Sequence, residues 1–551
     1  MKYLLQQWEA NRVIMAFGAN ESYAGAKGVA AFEKNLESYI QLIKARHGDS
    51  EYILVSPTAA EKVKDLKSFD LAQRNSDLKL YSDKMKEIAE KHEIRFVDLY
   101  TPTAELFKSE DGSYTVNSHN LTNKGSATVG KILASAIAGK EKITSLSPES
   151  KAFQSVQKMV QRKALEVSQA YHPANGISYY GLRKRIYEYN NEIPHYLKLA
   201  NILDQAIWQQ AKNTDSAINF PELPVYRLTD VPNKRPKKGL GIVKSAKEDL
   251  EDFTLADGYT INCFASSEDY PELINPLQVQ FDGRGRLWVS CFASYPHPLP
   301  GMLSNDTMLI FEDTDNDGKA DKRTVFADGL DLPDGFVFYK NGIVVSTARK
   351  LVYLEDTDGD DQSDVREEVL RGFDNTDTHH SGYLQRSPHG DVILSEALFH
   401  RGQFETPHGV VHTKDTSIMS LDMDTKKLTV ERQTESPNPW KVTFNQWGES
   451  IQFYGGGQII DADIHNVATP MGSAAPTSLG MPFRYDKGVS ATFVNSPVFP
   501  KKWQGGLITT HLLSTNEINY TPLKLVRGPT SRLVKKRLSF SHPTKYSDLL
   551  M

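Results

Sequence analysis

The sequence has almost no cysteine: Cys263 and Cys291 are the only two in 551 residues. Two thiols exclude a zinc ribbon, an iron–sulfur site and a disulfide framework, because each of these needs more than two. They leave open a single disulfide in an oxidising compartment. The alternative is a pair of small buried residues, since both cysteines lie in apolar, strand-like segments.

Long apolar runs and an excess of charge of one sign are also missing. No stretch of about 18 apolar residues occurs, so the sequence predicts no membrane-spanning helix. Lys and Arg total 64 against 69 Asp and Glu, which gives a net charge of −5. This balance excludes a dominant nucleic-acid-binding surface. A length of 551 residues is too great for one ordinary core, so we expect several domains.

The N-terminus contains no secretory signal. Residues 1–12 lack the apolar segment that a signal peptide needs. An apolar run at 13–17 follows almost at once and predicts a central strand with nearly nothing before it. We therefore expect that the first domain is truncated at its start.

The spacing of apolar residues divides the chain into four segments. Residues 1–145 alternate strands with helices, which predicts an α/β domain with a parallel sheet. Residues 146–212 predict a helical hairpin that acts as a spacer, and 213–250, rich in Pro and Lys, predict a solvated linker. Residues 251–551 contain only short strands between turns. The expected fold is therefore multidomain.

The last segment repeats a turn followed by a strand. Its turn glycines are Gly285, Gly342, Gly390 and Gly448. A spacing of about 40–60 residues, with about four strands in each repeat, is typical of a β-propeller blade. The sequence therefore predicts an all-β propeller of five to six blades, and it leaves open whether the last blade is complete.

Two acidic loops give the sharpest chemical signal. Each has carboxylates at positions 1, 3, 5 and 9 of a tight turn between predicted strands. Oxygen ligands at this spacing predict a structural Ca²⁺ ion; the alternative, a solvated acidic turn, crowds four carboxylates that repel each other. At position 6 the first loop has Gly318, whereas the second has Asp361, which tolerates a left-handed backbone less well. The predicted ligands are Asp313, Asp315, Asp317, Asp321, Asp356, Asp358, Asp360, Asp364 and Glu367, the last at position 12 of its loop.

Polar residues after a predicted strand of the propeller are candidates for catalysis. Asp377, His379 and His380 come first, and Arg401 follows downstream. Such residues from successive blades can meet at the central channel, where histidine takes a proton and arginine binds an anion. The alternative is that the histidines fill positions between blades and bond to the backbone.

A second candidate site lies in the first domain. Gly18 and Asn20 follow its first strand, so the Gly18 N–H and the Asn20 amide would form an oxyanion hole. His119, near the end of the domain, would be the general base.

The first domain resembles the SGNH (GDSL-type) hydrolases. The blocks that carry this resemblance are GANES, YILVSP, FVDLY and HNLTNKG. That family carries its catalytic serine in a first block that this chain lacks. Aligned on LTNKG, Asn117 and Asn120 stand where the family has Asp and His; aligned on His119, Val116 stands at the Asp position. The resemblance implies a degenerate esterase domain, active as a carbohydrate esterase only if the full-length gene supplies the serine.

The rest of the chain resembles large secreted multidomain proteins of planctomycetes and their relatives. Their propeller, named the "membrane-bound dehydrogenase domain", is distantly related to soluble glucose and sorbosone dehydrogenases that use pyrroloquinoline quinone (PQQ). The motifs are ISYYGLRKR in the helical spacer and DGYTINCFAS, GRLWVS, YPHPLPG, FEDTDNDGKADKRTVFADGL, DTHH, FHRGQFETPHG, NPW and WQGGLIT in the propeller.

This second resemblance implies a periplasmic or extracellular sugar (aldose) dehydrogenase with Ca²⁺ and PQQ as cofactors. It implies a carbohydrate or other small-molecule substrate and a cytochrome c electron acceptor, and no nucleic acid. The chain departs from the family in two ways. It has no CxxCH haem motif, and Pro437 stands where the quinone enzymes have the Arg of an Arg-Asn-Pro clamp. A non-catalytic propeller that binds carbohydrate or protein is the alternative.

Overall fold

The structure is a computed structural model. It describes residues 10–48, 50–63, 66–67, 69–108, 114–139, 150–174, 176, 192–213, 216–226, 244–295, 297–374, 383–397, 399–434, 439–448, 450–454, 459–461, 487–512, 517–525, 531–533 and 538–541.

An α/β unit forms the first part of the chain. Its three strands are parallel, in the order β1-β2-β3. Strand β2 is buried on both faces, and the first helix buries Phe32, Leu36, Ile40 and Ile43 at helical spacing. The sheet with covering helices agrees with the expected α/β pattern, and the assignment to SGNH hydrolases stays a prediction. The elements are β1 (Arg12–Ala16), α1 (Val29–His47), β2 (Glu51–Val55), α2 (Leu71–Lys91), β3 (Arg95–Val97), α3 (Tyr100–Leu106) and α4 (Asn123–Ala138).

Two long helices follow, α5 (Lys151–Tyr171) and α6 (Glu192–Lys212). Met159 of α5 packs against Leu203 and Ala206 of α6. Helix α5 begins where the Ser150 side chain accepts a hydrogen bond from the Phe153 N–H. The segment predicted as a linker ends in a short helix, α7 (Ala246–Glu251), whose start is fixed by a capping box. No described helix is both long and apolar enough to cross a membrane.

The remaining described residues form small antiparallel sheets in a propeller-like arrangement. Four sheets have four strands each, β4–β7, β8–β11, β12-β13-β16-β17 and β21-β22-β23-β26; β18–β20 form a three-stranded sheet, and β14–β15 and β24–β25 form ribbons. We number the five larger sheets in chain order. The strands are β4 (Pro276–Phe281), β5 (Leu287–Cys291), β6 (Asp306–Glu312), β7 (Lys322–Leu330), β8 (Gly335–Tyr339), β9 (Gly342–Ser346), β10 (Lys350–Glu355), β11 (Val365–Arg371), β12 (Gln385–Arg386), β13 (Val392–Glu396), β14 (Gln403–Thr406), β15 (Gly409–His412), β16 (Thr416–Leu421), β17 (Leu428–Thr434), β18 (Pro439–Phe444), β19 (Ser450–Tyr454), β20 (Ile459–Asp461), β21 (Lys487–Phe493), β22 (Leu507–Leu512), β23 (Glu517–Thr521), β24 (Leu523–Leu525), β25 (Ser531–Leu533) and β26 (Leu538–Ser541).

Strand β9 shows why these sheets stack face to face. Ile343 and Val345 belong to the core shared with the first sheet, whereas Val344 belongs to the core shared with the third. Side chains alternate between the two faces of a strand, so the second sheet is buried on both sides. A radial stack of sheets has this property.

The repeated glycines mark equivalent turns between the first and second strands of four sheets. Gly285, Gly390 and Gly448 have positive φ angles of 81°, 101° and 80°. Glycine is needed at position 342 because there is no room for a side chain: a Cβ there would lie 2.0 Å from the Leu354 carbonyl oxygen. The spacing from which the blades were predicted therefore reflects a backbone requirement.

The innermost strands meet through a buried amide. Gln278 of β4 donates from Nε2 to the Phe336 carbonyl at 2.8 Å and accepts from the Phe336 N–H at 3.1 Å. The Gln278 side chain thereby forms with β8 the pair of backbone-type hydrogen bonds that a neighbouring strand would form. A Cβ at Gly335 would meet both the Gln278 Oε1 and the Leu384 N–H, so the first three sheets converge at this point.

Replacing Gln278 with alanine will destabilise the propeller. The change leaves the buried Phe336 N–H without its acceptor, whereas the Phe336 carbonyl keeps the Gln280 Nε2 at 2.7 Å. An unsatisfied buried N–H costs roughly 2 kcal/mol. The measurement is the melting temperature by scanning calorimetry. The matched control is Gln433→Ala, at an exposed glutamine on β17; equal losses in the two variants would contradict the importance of the bridge.

Candidate functional site

The two acidic loops occupy equivalent places in consecutive sheets. One joins β6 to β7 and the other joins β10 to β11, so the flanking elements are strands, as the sequence predicts. Positions 4 and 6 are left-handed in both loops: φ is 62° at Asn316 and 86° at Gly318, then 85° at Gly359 and 62° at Asp361. Asp361 therefore adopts the conformation that glycine provides in the first loop.

Equivalent hydrogen bonds fold the two loops. The carboxylate at position 1 accepts from the backbone N–H at position 6, at 2.9 Å from Gly318 to Asp313 and at 2.8 Å from Asp361 to Asp356. The carboxylate at position 9 accepts from the threonine at position 2, and the Oγ1 distance is 2.8 Å in each loop. The repeat in sequence is thus a repeat in geometry.

Three carboxylates converge in each loop. Burial raises the pKa of Asp356, but the N–H groups of Gly359 and Asp361 outweigh it and hold that pKa below its usual range. Charged oxygens crowded in this way are the ligands that Ca²⁺ prefers. The converging sets, each with one oxygen per residue within 4.8 Å of the others, are Asp313, Asp315 and Asp317, and then Asp356, Asp358 and Asp364.

The other predicted ligands lie outside these two sets. Asp321 accepts from Thr314, which lowers its pKa. Asp360 accepts from the N–H of Gln362 at 2.7 Å. Glu367 is exposed in β11, opposite Tyr353. Their role as ligands stays a prediction.

Each loop is also attached to the element before its own sheet. The N–H at position 8 donates to a carbonyl oxygen in both cases, from Ala320 to Phe264 and from Ser363 to Phe326, both at 2.8 Å. Phe326 lies in β7 of the first sheet. The second loop therefore connects two sheets, and the conformation of the loop affects how these sheets sit against each other.

The catalytic residues predicted for the propeller are only partly described. Asp377, His379 and His380 lie outside the described residues. Arg401 lies between β13 and β14 with an exposed side chain, and its N–H donates to Asp374 at 2.8 Å. The structure does not bring Arg401 into a buried site.

Sequence reasoning missed a buried glutamate at this end of the propeller. Glu396 is fully buried at the end of β13, and burial raises its pKa to about 7, although Thr413 donates to it and opposes the rise. Its signal in the sequence was a charged residue at the end of the apolar run VILSE. A carboxyl that titrates near neutrality is suited to general acid–base chemistry.

Among the described residues, the end of the propeller opposite the acidic loops does not suit PQQ, which carries three carboxylates. Asp334 is 4% exposed, and burial together with Asp331 and Asp306 raises its pKa well above the usual range. Arg349, at the same end, donates to Ser168 of α5. The described groups at this end are mostly acids rather than the cationic and N–H donors that three carboxylates need, so they do not fit this quinone.

The two predicted oxyanion-hole donors of the α/β unit already have partners. The Gly18 N–H donates to the Glu21 carboxylate at 2.9 Å. The Asn20 Nδ2 donates at 3.1 Å to Glu405, which belongs to the β14–β15 ribbon of the propeller. Neither donor points into an empty oxyanion pocket.

The Nε2 lone pair of His119 is occupied in this structure. Its Nε2 accepts from the Arg74 Nε at 3.3 Å, and the guanidinium lies 3.6 Å over the Tyr23 ring. Burial and the charge of Arg74 lower the pKa of His119 to about 3. A general base needs a lone pair that can reach the proton it removes, and the Nε2 lone pair is already occupied.

The propeller covers this part of the α/β unit. The Tyr23 hydroxyl donates to the Thr406 carbonyl at 2.9 Å, and the Phe69 and His408 rings meet edge to face at 6.3 Å. Lys67 pairs with Asp424 at 2.6 Å. Gly18, Asn20 and His119 thus lie near a domain contact.

Residues 245–469 match the profile of a domain of unknown function (DUF7133). A search of curated proteins found no match.

Solved structures similar to the chain include dehydrogenase-type propellers. A proposed oxidoreductase (glucose dehydrogenase) from Thermus thermophilus is 12% identical, with 48% of this chain and 84% of that chain covered and a TM-score of 0.33. The holo PQQ domain of a pyranose dehydrogenase from Coprinopsis cinerea is 9% identical, with 53% and 87% covered and a TM-score of 0.38. A catalytic mutant of an acetylxylan esterase from Geobacillus stearothermophilus is 18% identical, with 25% and 67% covered and a TM-score of 0.20.

The buried His119 makes the α/β unit sensitive to acid. Its pKa is about 3 in the folded protein against an ordinary 6.5, so the unfolded chain binds the proton more readily. The stabilisation is therefore complete above pH 6.5 and is lost as the pH falls from 6.5 toward 3. Between about pH 7.5 and about pH 5, the melting temperature of the wild type will fall more steeply than that of His119→Gln.

The control for this experiment is His47→Gln in the same unit. That variant will keep the pH dependence of the wild type, because His119 is intact. The pH dependence is read from the slope of melting temperature against pH, which a uniform loss of stability does not change. Parallel slopes for wild type and His119→Gln would contradict the assignment.

Proposed function

We propose that this chain is a calcium-braced propeller of the dehydrogenase-like type that binds a carbohydrate-class ligand and carries a non-hydrolytic α/β unit. The observation that carries the calcium assignment is the geometric equivalence of the two acidic loops. Left-handed positions 4 and 6 and the same closing hydrogen bonds recur in both, and three carboxylates converge in each, at positions 1, 3 and 5 in the first loop and at 1, 3 and 9 in the second. Carbohydrate is the ligand class implied by the sequence resemblance.

The calcium ions act as braces because each loop is attached to its neighbour. The bonds from Ala320 to Phe264 and from Ser363 to Phe326 join the loops to elements outside their own hairpins. An ion that stabilises the loop conformation therefore also stabilises these contacts. A ligand that binds only the folded state at a hundred times its Kd contributes about 2.7 kcal/mol.

The α/β unit acts as a docking module rather than as an esterase. The contacts of Asn20 with Glu405, Tyr23 with Thr406 and Arg74 with His119 support this assignment, because they use the groups that ester hydrolysis would need. An active esterase would need the serine of the parent gene and a free His119.

Titration calorimetry with CaCl₂ tests the calcium sites. The wild type will bind two ions, and its melting temperature will rise by several degrees in calcium, because folded-state binding is stabilising. Asp313→Ala and Asp356→Ala will each lose one site, since each removes the carboxylate that accepts the loop-closing N–H.

The matched control for calcium binding is Asp328→Ala. Asp328 is an exposed residue of β7 outside both loops, so this variant will keep both sites. Absence of heat and of any change in melting temperature with calcium in the wild type would overturn the calcium assignment.

Sugar oxidation is the second candidate function. The observation that favours it is Glu396, a fully buried carboxyl with a pKa raised to about 7 at the end of β13, the second strand of its sheet. Such a group can exchange a proton with a substrate near neutral pH. Electrons would pass to a partner such as a cytochrome c, in the periplasm or outside the cell.

Dye reduction across a panel of aldoses, with calcium and with or without PQQ, separates the two candidates. The binding function predicts sugar binding by calorimetry without turnover. Sugar-dependent turnover that is lost in His380→Ala or Glu396→Gln would instead establish the dehydrogenase. The control variant is Glu431→Gln, at a partly buried glutamate of β17, which will leave either result unchanged.

A further inference from the structure

The motif YPHPLPG lies in the loop between β5 and β6, and its described part contains a tight turn. The Met302 N–H donates to the Leu299 carbonyl at 2.9 Å, and Gly301 has a φ of 89°. Proline followed by a glycine of positive φ is typical of a type II turn, and proline fixes its own φ. Residues 297–302, which we call the proline loop, therefore present their carbonyl groups in a preformed conformation.

A helical unit made of α5, α6 and residues 216–226 receives this loop. Within that segment, Ile218 and Leu223 pack against the core between the two helices. The Gln210 side chain of α6 also donates to the Ser216 carbonyl at 2.9 Å and accepts from the Ile218 N–H at 2.7 Å. The two helices and the segment thus form one continuous surface.

Every second carbonyl group of the proline loop accepts a hydrogen bond from the helical unit. The three bonds run from the Tyr196 hydroxyl to Pro298 at 3.3 Å, from the Tyr226 N–H to Pro300 at 2.9 Å and from the Arg162 Nη2 to Met302 at 3.1 Å. All three donor residues are buried. Proline has no N–H, so its carbonyl is the only backbone group that it offers for such contacts.

A side chain and a close approach make the contact specific. The His297 Nε2 of the loop pairs with the Glu192 Oε2 of α6 at 2.9 Å, and both residues are buried. A Cβ on Gly301 would lie 2.7 Å from the Pro224 carbonyl oxygen, so there is no room for a larger residue. Proline-containing segments are general ligands for aromatic surfaces, because a preformed ligand loses little entropy on binding.

We propose that the helical unit is a recognition module for a histidine-containing Pro-Gly turn, and that in this chain it binds the propeller's own proline loop. The proline loop joins β6 at the end opposite the acidic loop. The module therefore holds the helices against the end of the propeller that faces away from the acidic loops. A free peptide of the same sequence will occupy the module once the loop is prevented from binding. The inference does not depend on calcium or on sugar binding.

Fluorescence anisotropy with a labelled peptide spanning residues 295–303 tests the module on the full chain. In the wild type the proline loop occupies the module, so the peptide will not bind. The double variant His297→Ala, Gly301→Ala loses the contact with Glu192 and the close approach to Pro224, and it will bind the peptide saturably. A control peptide with the same two substitutions will bind about tenfold more weakly or worse. Equal binding by wild type and double variant, or binding by neither, would overturn the proposal.

Two further changes, each added to the double variant, test where the peptide binds. Tyr196→Phe removes only the hydroxyl that donates to Pro298, and it will weaken peptide binding about fivefold. Gln161→Ala, at an exposed residue of α5 beside Arg162, will leave the affinity unchanged. Equal affinities in these two variants would contradict binding in the module.

Hydrogen exchange in the single variant Tyr196→Phe tests the contact without altering the loop. The amides of residues 297–302 will exchange about fivefold faster than in the wild type, because the loop leaves the module more often. The single variant Gln161→Ala will leave their exchange unchanged. This test holds even if the double variant does not fold, and unchanged exchange in Tyr196→Phe would refute the proposal.

Discussion

Carboxylates crowded into one hairpin turn repel each other, and the rest of the site follows from how that repulsion is offset. In both loops backbone N–H groups donate to the carboxylates and fix the shape of the turn. The converging oxygens are of the kind that suits a metal ion. Only the second loop has a further acid at position 6, Asp361, and Arg286 balances that charge.

The sequence predicted the features that depend on local constraints. Apolar alternation and turn glycines predicted the small antiparallel sheets, because a residue such as Gly342 has no room for a side chain. The aspartate spacing predicted the loops, because position 6 must be left-handed for its N–H to reach position 1. These signals lie within a few residues of each other, so one sequence is enough to find them.

Features that depend on distant residues could not be predicted. Arg286 and Asp361 are far apart in sequence, and no local sequence pattern around either residue predicts their ion pair. The contact of Asn20 with Glu405 joins two units of the chain. The lowered pKa of His119 follows from burial and from Arg74, which lies on α2. The motifs suggested an oxyanion hole and a base, whereas the neighbours that occupy these groups are visible only in three dimensions.

In the α/β unit, the groups predicted for catalysis form contacts that hold the structure together. Arg74 donates to His119, to the Ser22 hydroxyl and to the Ala19 carbonyl, so one buried cation satisfies three acceptors around the predicted site. Tyr23 lies over that cation and also donates to the propeller. Hydrolysis would need His119 to gain a proton during reaction, which the adjacent guanidinium opposes. Removing the propeller contacts alone would therefore leave His119 beside Arg74, with its pKa still lowered.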